Sequence, residues 1–170
     1  DLHCPIAPSL LGQISDGGAA HVDATSSAAQ AAFPAWSALT AAERKPYLDR
    51  FAAEIGKRSE AFCQLESNDA GILLSRMKHG VVPRAMLNLT WFAEHALTLQ
   101  DRPIETEQAT HIVRHDPAGV VVIITPWNSP LMLATWKLGP ALAAGNTVIV
   151  KPPEWAPLTS SLLADCAHAA

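Results

Sequence analysis

An α/β fold is predicted for this chain, on three observations. Val120–Ile124 and residues 148–150 are short runs of β-branched residues, the pattern of strands buried on both faces. Between them, 131–144 is mostly leucine, alanine and methionine, with Gly145 standing where a helix-ending glycine belongs. Ahead of this strand–helix–strand unit, helical periodicity covers roughly 22–100 and alternation covers 101–117, so a parallel sheet opens only after a helical region and a β arm.

The first twenty residues are rich in Pro, Gly and Ser and are expected to form loop or short edge strands. From 22 to 39 the alanines recur at helical spacing with Phe33 and Trp36, and Pro34 weakens the middle of that helix. Thr40-Ala41-Ala42-Glu43 is a capping-box pattern, in which the Thr hydroxyl and Glu carboxylate satisfy free amides at a helix start. The helix it opens carries Tyr47, Leu48, Phe51, Ala52 and Ile55 on one face, and Gly56 is its expected end. Ser59 is the expected cap of a third helix bearing Phe62, Leu65 and Glu66, stopped by Asn68-Asp69-Ala70-Gly71. A longer helix follows, with Gly80 and Pro83 near its start and Leu87, Trp91, Phe92, His95 and Leu99 along one face. Ile104, Thr106, Thr110, Ile112 and Val113 then alternate roughly with polar residues, as in an exposed hairpin. The expected divisions are 1–100, mainly helical; 101–117, a β arm; and 118–170, the first β-α-β-α part of a sheet domain.

Composition excludes several classes. The 170 residues are 49% hydrophobic with a formal net charge of −4, enough apolar material for a core and no basic run for nucleic acid or an anionic membrane. Three cysteines, odd in number and free of CxxC pairing, argue against a disulfide framework and a zinc site. The seven histidines show no metal-ligand spacing, so no metal is expected. No apolar stretch reaches the roughly 18 residues a membrane span needs, Lys137 interrupting the nearest one. A cytoplasmic protein is expected from the lack of a leader pattern. The chain starts at Asp1 and stops inside an alanine-rich helical pattern, so a piece of a longer protein is expected.

In open α/β sheets, ligands bind beyond the carboxyl ends of the parallel strands, where Asn128, Lys151 and Glu154 fall. Within Thr125-Pro126-Trp127-Asn128-Ser129-Pro130, the Asn128 amide can donate to an oxyanion formed in carbonyl chemistry, or stabilise its own turn. Lys151 and Glu154, three positions apart, can both reach the hydroxyls of one ribose, or form a solvated charge pair. A carboxylate there disfavours a 2′-phosphate and points to NAD over NADP. No G-x-G-x-x-G follows Val120–Ile124, which counts against the usual dinucleotide fingerprint and leaves room for a later phosphate loop. Lys137 could orient catalytic groups or extend its charge to water along an apolar stem. Cys4, Cys63 and Cys166 lack a His or charged partner at useful spacing and read as small buried apolar residues.

At TPWNSP, WKLGPALAAGNTVIVKPPEWAPLT and AAFPAWSALTAAER the sequence resembles the aldehyde dehydrogenase superfamily, in unbroken order from about Pro5 to Ala170. That span corresponds to about the first third of a family member. The resemblance implies the start of a Rossmann-like parallel sheet, preceded by the helical region and a β-hairpin arm joining an oligomerisation domain. By position it implies that Asn128 helps form the oxyanion hole and that Lys137 supports the catalytic centre. Ile124, Thr125, Pro126 and Trp127 would lie beside the nicotinamide, and Lys151 and Glu154 would hold the adenine ribose of NAD. Ser129, Met132 and Trp136 would line the aldehyde pocket. The partners implied are a small-molecule aldehyde and further copies of the chain, as homodimer or homotetramer. In such enzymes a cysteine thiolate attacks the aldehyde, hydride passes to NAD, and a glutamate-activated water releases the acid. That cysteine, that glutamate and the glycine-rich loop are expected beyond Ala170, so residues 1–170 alone are expected to be inactive.

Ser129 replaces the large aromatic many members carry, which would widen the aldehyde wall and make it more polar. With WNSPLMLATWKLGPALAAGNT and LESNDAG it leans toward the hydroxymuconic-semialdehyde branch, with betaine-aldehyde-like members as competitors. Pro153 replaces a small residue between Lys151 and Glu154. Two other functions stay open at this level: a non-catalytic cofactor-binding or oligomerising module, and a CoA-acylating relative.

Overall fold

The computed structural model describes residues 1–99 and 101–170. Gln100, the last residue of the expected helical region, lies outside the described residues. A short antiparallel pair, β1 (Leu2–His3) and β2 (Leu10–Gly12), precedes helices α1 (Ala19–Ser37), α2 (Ala41–Lys57) and α3 (Ser59–Ala70). The turn α4 (Leu74–Arg76) runs through a π-helical segment, Met77–Val81, into α5 (Val82–Ala96). The hairpin β3 (Arg102–Glu105) and β4 (Thr110–Val113) is antiparallel and exposed throughout. Last come β5 (Val120–Ile124), α6 (Pro130–Ala143), β6 (Thr147–Lys151) and α7 (Leu158–Ala169). β5 and β6 pair in parallel, from Val120 opposite Thr147 to Ile124 opposite Lys151.

Local chemistry explains most boundaries. Thr40 caps α2 as its sequence predicts: the Glu43 N–H donates to Thr40 Oγ1 at 3.2 Å, and the Thr40 N–H donates back to Glu43 Oε2 at 2.8 Å. Gly71 ends α3 in the left-handed region, with φ +71°. Pro34 stays inside α1, and Pro83 comes just after the π segment, where the helical hydrogen-bond ladder is already shifted.

The core joins α2, α3, α5, α6 and α7 through Leu48, Ile55, Phe62, Leu89, Leu131 and Leu163, all buried. Each such side chain contributes about 1.5–3 kcal/mol of transfer free energy. α5 crosses α6 so closely that a Cβ on Gly139 would come within 2.6 Å of the Asn88 carbonyl oxygen. Beside that crossing, Asn88 Nδ2 donates to Met132 O and to Thr135 Oγ1, both at 3.2 Å.

Several expectations are corrected. Gly56 does not end α2, which runs to Lys57; it faces Met86, whose Cε a Cβ would meet at 2.9 Å, so the glycine serves packing. Ser59 does not cap α3, whose N-cap is Arg58 with no side-chain bond. The large side chains Leu87, Trp91, His95 and Leu99 are exposed. α5 instead buries Val82, Ala85, Leu89, Ala93 and Ala96, because small residues let it approach α2 and α6. Gly80 lies within the π segment. Tyr47 is also exposed, resting edge-on against Trp36 at 5.6 Å. Finally, β5 is not buried on both faces, and β6 is half-buried at 148–150. Val121 and Ile123 face the core while Val122 and Ile124 are 60% and 67% exposed, since the described elements cover one face only.

Candidate active site

Because β5 and β6 are parallel and in register, the loops leaving them, 125–129 and 152–157, start side by side. The Thr125 N–H and Oγ1 both donate to the Lys151 carbonyl, at 3.2 and 3.4 Å, which ties the loops at their roots. Further out, the Trp127 and Trp155 rings lie 6.3 Å apart. Ile124, Pro126, Trp127 and Asn128 are exposed and Thr125 is buried. Among the described residues the Asn128 amide has no hydrogen-bond partner, so it does not stabilise its own turn. Lys151 Nζ lies 2.6 Å from Glu154 Oε1, both side chains exposed. The hydrogen bond from Lys151 holds the Glu154 carboxyl below its ordinary range. An open pocket of about 400 Å³ adjoins the loops, lined by His3, Asp69, Trp127, Glu154 and Trp155 among others.

Ser129, Met132 and Trp136 follow one another at helical spacing along α6. Ser129 is buried, Met132 half-buried and Trp136 exposed, with the Arg84 guanidinium 5.6 Å from the Trp136 ring centre. Lys137 is exposed on the same helix. Thus Thr125, Trp127 and Asn128 lie in the loop after β5 and Lys151 and Glu154 at the end of the adjacent β6, and Lys137 stands about two helical turns along α6 from Asn128.

Beneath the loops lies a feature that local sequence pattern does not reveal. α6 starts with Ser129 and Pro130, and α7 with Pro157 and Leu158; neither N-cap residue makes a side-chain capping bond. The free amides are met by α3. Glu66 Oε2 accepts from the Leu131 N–H at 3.1 Å, and Asp69 Oδ2 accepts from the Leu158 N–H at 2.8 Å. Both carboxylates are buried, at 0% and 3% exposure, each with its second oxygen unpaired among the described residues. Burial pushes the Glu66 carboxyl up to about 7; the Leu131 N–H and the nearby Thr159 hydroxyl oppose that rise, and Asp69 adds to it. Burial likewise raises Asp69, against the pull of the Leu158 N–H. At the other end of α6, the buried Arg44 donates from Nε to Ala143 O at 3.0 Å. α6 is therefore bracketed by a carboxyl at its positive end and a guanidinium at its negative end. Two carboxyls one turn apart on an apolar helix face, opposite two proline-led helix starts, were the available signal.

The cysteines offer no nucleophile in this region. Cys63 and Cys166 are buried, and burial pushes both thiols up, away from the thiolate. Cys4 is half-buried, and Cys166 does have a charged partner, Arg58 Nη1 at 3.1 Å, brought by the fold across 108 positions. No cluster of metal-ligating side chains occurs among the described residues, and no helix there is long and apolar enough to cross a membrane.

The model of the aldehyde dehydrogenase family matches residues 1–170. A 2-hydroxymuconic semialdehyde dehydrogenase from Pseudomonas sp. (strain CF600) is 37% identical over 172 residues, covering 98% of this chain and 35% of that protein. The NADP/NAD-dependent aldehyde dehydrogenase PuuC of Escherichia coli (strain K12) is 36% identical over 170 residues, with 98% and 34% covered. The crystal structure of PnpE in complex with nicotinamide adenine dinucleotide superposes with a TM-score of 0.95 at 39% identity, over 99% of this chain and 35% of that one. The chain thus spans about a third of the length of the relatives it matches.

Proposed function

The chain belongs to the aldehyde dehydrogenase family, and from that premise we propose that it forms the N-terminal part of an NAD-preferring enzyme oxidising a semialdehyde to its acid. The observation that carries this is the meeting of two loops at the ends of adjacent parallel strands, one presenting a free amide and the other a Lys–carboxylate pair. Asn128 takes the role of oxyanion donor: its amide is exposed and unpaired, and the loop root tied to Lys151 limits its reorganisation. The residues at the end of β6 would hold an adenosine ribose: Lys151 Nζ and Glu154 Oε1 lie 2.6 Å apart, and an ammonium and a carboxylate so placed can donate to and accept from neighbouring hydroxyls. NAD, when bound, supplies the hydride acceptor. Ile124, Thr125, Pro126 and Trp127 would hold its nicotinamide, and the exposed apolar Ile124 and Trp127 could then exclude water from that side.

Ser129, Met132 and Trp136 form one wall of the aldehyde pocket, with Lys137 in a supporting place. The nucleophilic cysteine and the base that activates water belong to the enzyme outside residues 1–170. The semialdehyde class draws on the small Ser129 and on the likeness to the Pseudomonas enzyme. The enzyme works as a homodimer or homotetramer through the exposed 101–117 arm, and residues 1–100, 101–117 and 118–170 divide as helical part, arm and sheet domain. The full-length enzyme should reduce NAD with a muconic-type semialdehyde and release acid without CoA. In it, Glu154→Gln should raise the NADP-to-NAD ratio of kcat/KM by about tenfold, one charge-assisted contact. Turnover that requires CoA and yields an acyl-CoA, or a ratio that does not move, would overturn the reading.

A further inference from the structure

The two loops share one support. α6 and α7 both begin at proline-containing turns without a side-chain cap of their own, and both take their cap from α3. Glu66 and Asp69 stand one turn apart there, and they reach amides 65 and 89 positions away in sequence. Leu131 lies three residues after Asn128, and Leu158 four residues after Glu154, so each carboxyl grips the far end of one loop. The near ends are tied to each other by Thr125 and Lys151 O. Each loop is therefore pinned twice, once to its neighbour and once to α3.

Glu66 is fully buried and Asp69 is buried at the floor of the open pocket, so each carboxyl carries a desolvation cost that an apolar side chain would not. What an apolar replacement could not do is accept the two amide hydrogens.

We infer that Glu66 and Asp69 are positioning residues that divide the labour: Glu66 fixes the Asn128 loop for the aldehyde, and Asp69 fixes the Lys151–Glu154 loop for the cofactor. The inference rests on the aldehyde dehydrogenase reading above and adds the means by which its loops are held.

The test uses the full-length enzyme, with turnover measured at saturating substrates and NAD affinity by fluorescence titration. Glu66→Met keeps volume and removes the acceptor. It should lower kcat about 10- to 100-fold, the scale of a small misplacement of a catalytic group, while the Kd for NAD changes less than about threefold. Glu66→Gln keeps an acceptor and should restore kcat to within about threefold. Asp69→Leu should show the opposite split, weakening NAD by about tenfold with kcat at saturation nearly kept, and Asp69→Asn should recover it. Glu66→Asp, one methylene shorter, must also lower kcat selectively, and it serves if Glu66→Met does not fold. Combining Glu66→Met with Asn128→Ala should cost no more than Asn128→Ala alone. Additive losses, or the same kcat and Kd changes from both α3 positions, overturn the inference. If Asn128→Ala itself leaves turnover unchanged, the functional reading falls instead, so the two failures are distinguishable.

Discussion

The two sides of the strand-end loops differ in kind. Above, Asn128, Trp127, Lys151 and Glu154 face solvent, and Lys151 pairs with Glu154 at the surface. Below, Glu66, Asp69, Thr135 and Thr159 are buried, and two helix starts depend on carboxyls from another helix. The contrast teaches that the side chains available for chemistry are not the ones holding the site in shape. Stability should therefore be sensitive beneath the loops and nearly indifferent above them.

The largest expected effect lies beneath. Burial pushes the folded Glu66 carboxyl up to about 7, from an ordinary value of 4.5. Below pH 4.5 the group is neutral in both states; between 4.5 and 7 the folded state alone keeps the proton, so stability falls as pH rises through this window. The full span corresponds to on the order of 3 kcal/mol. Glu66→Gln should remove that slope, as read by urea unfolding at intervals from pH 4.5 to 8. An identical slope in the variant would break the assignment. Gly139→Ala, which drives a Cβ against the Asn88 carbonyl, should cost about 1–3 kcal/mol by overpacking the α5–α6 crossing. A neutral result would mean the crossing is looser than drawn. Thr40→Ala, far from the loops, should cost about 1 kcal/mol as a lost cap, measured by the shift of the unfolding midpoint. Above the loops, Lys151→Met should leave thermal unfolding unchanged while weakening NAD; a drop in Tm would erase the contrast between the two sides.

What was legible in the sequence was local. The capping box at Thr40, the αL stop at Gly71, the alternation in 101–117 and the β-branched runs each report on neighbours a few positions away, and each produced the expected element. The strand-end position of Asn128, Lys151 and Glu154 followed from the same pattern. Partners distant in the chain were not legible. Leu87 and Trp91 recur at helical spacing, yet α5 buries Ala85, Leu89 and Ala93 instead, a choice set by its close crossing with α6. Gly56 read as a helix end because its contact, Met86, lies on another helix. Glu66 and Asp69 read as ordinary helix and turn residues because their amides lie beyond the strands they support.

The central claim is that the exposed amide above the loops receives the charge formed on the aldehyde. Single-turnover acid formation by the full-length enzyme carrying Asn128→Ala tests it most directly. The rate should fall about 10²-fold, the cost of one oxyanion donor, with unfolding behaviour unchanged. A rate equal to that of the unmodified enzyme, with the chemical step observed, would contradict it.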